Sequence, residues 1–260
     1  MAPSPTDPGT TAERLALAVR LGDAALVLAQ RLAAWTGHGP TLEQDIALTN
    51  LSLDLFGQAR GHLTYAGQLE GRGRTEDDLA FGRDVLDFRN PLLVEQPNGD
   101  FAHTMVRQLL FDAYHLPLLE GLARSRDARL SALAQKAQKE VRYHLEHSRG
   151  WVIRLGDGTD ESHRRTQTAL DDLVRFTPDL VAADDAAVRL AAASLAPDPE
   201  MVRERWQATV AETLARAGLL WPETGAAAGS RGRAGQHTEH LGYLLAEMQF
   251  LHRAYPGARW

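Results

Sequence analysis

The sequence predicts an all-α fold built on long antiparallel helix pairs. Three observations carry that expectation. Apolar residues recur every three or four positions along nearly the whole chain. No alternating β-branched run joined by a tight-turn dipeptide interrupts them. The ends of the longest periodic segments carry capping residues on one side and Gly or Pro on the other.

Residues 1–12, rich in Pro, Ser and Thr, read as a disordered tail. They lack the basic start and apolar centre of a secretion signal. The first helix begins at the capping box Thr10-x-x-Glu13 and stops before Gly37-His38-Gly39-Pro40. A second box, Thr41-x-x-Gln44, opens a helix that runs to about Leu69, and a short helix follows near TEDDLAF. NPLLVEQPNGDF is expected as an ordered, irregular loop, because its prolines, Asn98 and Gly99 cannot continue a helix. Asp100 caps a third helix to about Arg124, with a kink at Pro117, and the fourth spans about Ala128 to Leu155. Two long hairpins packed antiparallel make a four-helix bundle over 13–156.

Further helices are expected over 160–255, all within one domain, 13–260. The first runs to Phe176 and ends at Thr177-Pro178. Asp198-Pro199 starts another, to about Ala217. ETGAAAGSRGRAGQ reads as a mobile loop, and the last helix covers about Thr238 to Tyr255, leaving PGARW as a tail.

Composition removes whole classes of function. With 260 residues, 44% hydrophobic and 24% charged, the chain can bury a sizeable core. A formal net charge of -6 and the lack of a basic stripe argue against a nucleic-acid partner. No run of 18 apolar residues exists, so no membrane span is expected. The absence of cysteine removes thiolate metal sites and disulfides and fits a cytoplasmic location. Phosphate loops, nucleophile elbows and paired-histidine zinc helices are also missing.

One stretch asks for chemistry. KEVRYHLEHSRGW places Glu140, His144 and His147 on a stripe with Ala137 and Trp151, where a helix should be apolar. A helix bundle can hold a carboxylate-bridged di-metal centre, which needs a Glu from each of two helices and a Glu-x-x-His from each of the others. None of the ten histidines has a glutamate three residues earlier. Aspartate stands there in Asp100/His103, Asp112/His115 and Asp160/His163, of which only Asp112/His115 falls mid-helix. The inward acids of a degenerate site would be Asp23, Asp54, Asp112 and Glu140. Gly57 and Tyr143 then occupy the histidine positions, and neither offers a nitrogen ligand.

Each group also has a bland reading. Glu140, Tyr143 and His144 form a buried hydrogen-bonded cluster without metal. Asp23 and Asp54 pair with Arg20 or Arg60, or lie at a subunit interface. His147 is a polar group at the bundle edge and Trp151 a core residue. His237-Thr238-Glu239-His240 is a helix cap, and GSRGR a solvated loop whose arginines could meet an acidic partner or a phosphate.

The stretches LGDAALVLAQRLAAW, DIALTNLSLDLFGQAR, NPLLVEQPNGDF, KEVRYHLEHSRGWVIRLGDGTDES and HTEHLG, with PGARW at the end, closely resemble the C subunits of the bacterial phenylacetyl-CoA 1,2-epoxidases. The resemblance runs from about Leu15 to Trp260. It implies a ferritin-like fold and a multicomponent oxygenase in which a related subunit holds the di-iron centre. There the ring of phenylacetyl-CoA is epoxidised with oxygen and electrons from a reductase. It further implies that this chain holds no cofactor and is a structural, non-catalytic partner that packs against the catalytic subunit. On that view the polar face from Glu140 to His147 is the remnant of a metal site. Two alternatives stay open: an atypical metal oxygenase using Asp112, His115, Glu140 and His144, and a module binding phenylacetyl-CoA through Arg231 and Arg233.

Overall fold

Capping chemistry sets the helix boundaries. The computed structural model describes residues 8–223 and 231–258. α1 spans Pro8–Ala33, so the stretch expected as a tail is already helical from Pro8 to Ala12, while residues 1–7 lie outside the described ones. Thr41 caps α2, Leu42–Glu70, by accepting from Gln44 N, and Gly71 closes it at φ 69, a left-handed turn that favours glycine. α1 and α2 pack along their lengths. At Gly22 an added Cβ would come within 2.6 Å of the Leu63 side chain, so glycine permits that approach. Leu21, Leu28, Leu48, Leu51, Leu55 and Leu63 are buried here. Burial of one such side chain contributes roughly 1.5–3 kcal/mol.

Thr75 and Asp78 form a reciprocal capping box at the start of α3, Glu76–Phe81. The expected loop over NPLLVEQPNGDF contains one short helix, α4, Leu92–Glu95, with Pro91 as its N-cap. Asp100 accepts from His103 N at 3.0 Å and caps α5, Phe101–Leu122, which carries Pro117 inside it. α6 spans Ala128–Gly156 and packs on α5 as the second long hairpin.

Thr159 opens α7, Asp160–Leu173, which passes through a 3₁₀ turn into α8, Thr177–Val181. Pro178 therefore starts a helix where the sequence suggests a stop, because a missing N–H is harmless in a first turn. α9 is Asp185–Ala192, and Asp198 with Pro199 opens α10, Pro199–Ala217, as expected. Of the expected mobile loop, residues 224–230 lie outside the described ones, and Gly232–Ala234 form a 3₁₀ turn. The last expected helix is divided into α11, Glu239–Met248, and α12, Phe250–Ala254.

The class is all-α and ferritin-like, with its long hairpins and additional C-terminal helices in place. The described residues cluster into two compact units. One holds 8–97 and 231–258, with α1 to α4, α11 and α12; the other holds 98–223, with α5 to α10. No helix among the described residues is long and apolar enough to cross a membrane.

Candidate functional site

The buried face of α6 comprises Leu130, Ala134, Ala137, Val141, His144, Ser148 and Val152. That three-and-four spacing follows one side of a helix. Its polar members are His144 and Ser148. Glu140, Tyr143 and His147 stand one position away from this line. Glu140 is half-buried, its carboxylate 3.6 Å from Lys136 Nζ, and Tyr143 is 52% exposed. The expected buried cluster of Glu140, Tyr143 and His144 is therefore corrected to His144 alone. One residue of helix rotates a side chain by about 100°, and Val141 takes the inward place. Trp151, expected in the core, is half-buried edge-on to Phe101, the ring centroids 5.1 Å apart.

The same shift occurs on α2. Its buried polar residues are Ser52, Gln58 and His62, and Ser52 Oγ donates to Ala29 O at 2.9 Å. Asp54 is half-buried and Gly57 exposed. A Cβ added at Gly57 would meet nothing within 4 Å. Gly57 thus does not mark the vacated place of an inward histidine.

Asp23 is buried, but its partner is neither Arg20 nor Arg60. Arg83 holds both carboxylate oxygens in a fork, with Nη1 to Oδ2 at 3.0 Å and Nη2 to Oδ1, and Arg89 N donates at 2.8 Å. Burial raises the Asp23 carboxyl above its ordinary range against the pull of Arg83 and the Arg89 N–H. Arg60 pairs with Glu76 at 3.2 Å instead.

Asp112 on α5 is also fully buried. It accepts from Gln108 Nε2 at 2.8 Å and Ser148 Oγ at 3.0 Å. Burial pushes its pKa up to about 7, opposed by His144 and by these two hydrogen bonds. His115, one turn on, is buried, with its ring centroid 4.9 Å from that of Phe111.

These positions do not fit a di-metal centre. Asp23 has both oxygens committed to a guanidinium, Asp54 and Glu140 flank their buried faces, and only Asp112 of the four is a buried acid without a cationic fork. No group of three or more His, Asp or Glu able to hold a metal ion is found among the described residues. What the arrangement can do is hold one proton near neutrality, at Asp112.

A second buried centre has no local signature in the sequence. His237 Nδ1 meets Glu95 Oε2 at 2.7 Å and its Nε2 meets Phe88 O at 3.0 Å, with both side chains fully buried. Both ring nitrogens face acceptors, an arrangement that favours the doubly protonated ring. Burial lowers the His237 pKa, but the hydrogen bond and charge of Glu95 outweigh it and leave it raised. Thr238 donates to Glu95 Oε1 from its backbone N at 2.7 Å and its Oγ at 2.9 Å, and Asn90 Nδ2 adds 2.9 Å to Oε2. The polar groups at 237–240, expected as a helix cap, do hold the N-cap residue of α11, Thr238, but its side chain bonds Glu95 and makes no cap bond to the helix. The sequence offers two hints, the polar crowding at 237–240 and Glu95, the acid that ends the otherwise apolar short helix Leu92–Glu95.

The family model for phenylacetic acid catabolic proteins matches residues 2–260. The chain is also 51% identical over 245 residues to the C subunit of 1,2-phenylacetyl-CoA epoxidase from Escherichia coli (strain K12), covering 94% of this chain and 98% of that protein.

Proposed function

The chain belongs to the phenylacetic acid catabolic protein family, and on that premise we propose that it is a structural subunit of a phenylacetyl-CoA epoxidase. The observation that carries this reading is 51% identity spanning nearly the full length of a protein named as that enzyme's C subunit. In this reading it packs against and stabilises a separate catalytic subunit that holds the di-iron centre, and a reductase supplies electrons to that subunit. It holds no cofactor of its own, takes no nucleic acid or membrane as partner, and works in the cytoplasm.

The geometry supports a non-catalytic role at particular atoms. A bridging carboxylate must offer its lone pairs to metal, whereas Asp23 offers both oxygens to Arg83. An atypical metal site from Asp112, His115, Glu140 and His144 would require Glu140 to turn inward past Val141, which is fully buried. No observation favours that alternative.

Co-expression tests the proposal. The catalytic subunit should gain solubility and thermal stability when this chain is present, by mass action on its folded form, and the purified chain should stay at background iron after reconstitution. A catalytic subunit equally stable and active alone, or about two irons retained by this chain, would overturn it.

A further inference from the structure

The C-terminal helices turn their largest apolar side chains outward. None of the five residues of α12 is buried, although Phe250 and Leu251 are among them, and the exposed Tyr255 follows directly. Gln249, between α11 and α12, keeps a helical backbone at φ -91 and ψ -6. The helical spacing therefore continues, and Tyr243 and Phe250, two turns apart, share one outward stripe. Tyr243 is 72% exposed and Phe250 62%. A helix as short as α12 is not stable by its own hydrogen bonds, so its neighbours hold it. Gln249 Nε2 donates to Ala80 O and Arg83 O, each at 3.0 Å. Arg253 Nη2 donates to Arg83 O at 2.9 Å and to Asp84 Oδ1 at 2.7 Å, and the His252 and Phe81 ring centroids lie 5.5 Å apart. These contacts fix the inner side of the helix and leave Phe250, Leu251 and Tyr255 to water.

Hollows flank the same helices. A hollow of about 200 Å³ lies beside α11, with Val85, Gly242, Leu245 and Ala246 in its lining, and Leu86, next to Val85, is exposed. A larger hollow of about 460 Å³ lies between α1 and α11, lined in part by Ala34, Tyr243, Leu244 and Met248. The charges in each lining come as one arginine and one acid. Arg253 meets Asp84 in the first, and in the second the charge of Glu247 acts on Arg31. Each hollow is thus balanced in a chain whose formal net charge is -6.

We propose that α11 and α12 form a contact with a second copy of this chain about a two-fold axis, the aromatic ridge of each copy lying in the hollows of the other. Shape supports a second copy, because a two-fold interface brings one patch against itself and so needs protrusion and recess on the same face. Charge supports it too. Balanced hollows let two acidic chains meet without facing like charge to like, whereas a partner recognised by its charge would need a surplus of one sign. Area is adequate. At their exposures Tyr243, Phe250 and Tyr255 offer roughly 300–450 Å² of aromatic surface, close to the apolar share, about 57%, of the ~800 Å² that each partner of a standard interface buries. Leu86 and Leu251 supply the remainder. The contact goes beyond the structural-subunit reading and does not depend on it.

Sedimentation of the purified full chain over a concentration series tests this. A reversible equilibrium between monomer and dimer is expected. Phe250→Asp should raise the dimer dissociation constant at least tenfold, and Tyr243→Asp severalfold; the second variant answers the question if the first fails to fold. Val188→Asp, at a comparably exposed side chain on α9 in the other unit, should change nothing. A chain that stays monomeric at every concentration, a dimer that both aromatic variants leave intact, or one that Val188→Asp weakens as much would overturn the proposal. So would a chain monomeric alone whose binding to a catalytic subunit is lost in Phe250→Asp, since the face would then belong to that subunit. Failure of the co-expression test above would leave these sedimentation results as they stand, so the two readings fail separately.

Discussion

Asp23 and Asp112 are both fully buried aspartates on long helices, and they are satisfied in opposite ways. Asp23, on α1, faces a bidentate guanidinium and a backbone N–H. Asp112, on α5, faces a serine hydroxyl and a glutamine amide, both neutral. A buried carboxylate can be kept charged by a cation or relieved of its charge by a proton. The first solution makes a structural clamp, tying α1 to the segment that carries Arg83 and Arg89. The second makes a group that titrates near neutrality, with His144 as the charge that opposes its protonation.

Removing the cation should break the clamp, and this is the largest effect expected. Arg83→Met strands the Asp23 carboxylate with the Arg89 N–H as its hydrogen-bond donor, a change that typically costs about 3–5 kcal/mol. It also removes the guanidinium stacked 4.4 Å over the Phe88 ring centre. Urea unfolding should show that loss, and Asp23→Leu added to Arg83→Met should recover most of it, since a buried ion pair replaced by apolar groups is often neutral. If the double variant is no more stable than the single, the stranded charge is not what Arg83 relieves.

The second solution is sharpened by pH. The folded Asp112 pKa lies at about 7 against an ordinary 3.8. Between those values the folded state keeps a proton that the unfolded chain has released, so this group's contribution to stability falls as pH rises through the window and levels off above pH 7. Asp112→Asn replaces the acid by a neutral isostere and should leave stability little changed near pH 4. By pH 8 it should exceed the parent by about 2–4 kcal/mol, following about 1.4 kcal/mol per pKa unit. Denaturant midpoints at the two pH values check this. A difference between variant and parent that does not grow with pH would mean that Asp112 stays ionised throughout.

The contrast also shows which features the sequence carries openly. Helix ends were legible because their chemistry is local: Thr41 and Asp100 each bond to a backbone N–H within three residues. The inward face was legible only to within one residue. On α6, Glu140 and Val141 both lie within about a turn of Ala137 and His144; hydrophobicity favours Val141 for the core, whereas a search for metal ligands favours Glu140. Long-range partners were the least legible. Arg83 reaches Asp23 across 60 positions and His237 reaches Glu95 across 142, and no periodicity encodes such pairings. Arg20 is the local candidate for Asp23 because it lies on the same helix, one turn away.

The smallest expected effect tests the register itself. If Gly57 and Tyr143 were lost metal ligands, restoring histidine at both would help rebuild a metal site. In the structure a side chain added at Gly57 enters open space, and Tyr143 is exposed. Gly57→His with Tyr143→His should therefore bind no more iron than the parent after reconstitution, as measured by elemental analysis. Stability should rise by a few tenths of a kcal/mol, because glycine in a helix interior is less favourable than histidine. A variant that gains two irons per chain would show that these positions do turn inward, and would overturn the assignment of Gln58, His62, His144 and Ser148 as the polar residues of the buried faces.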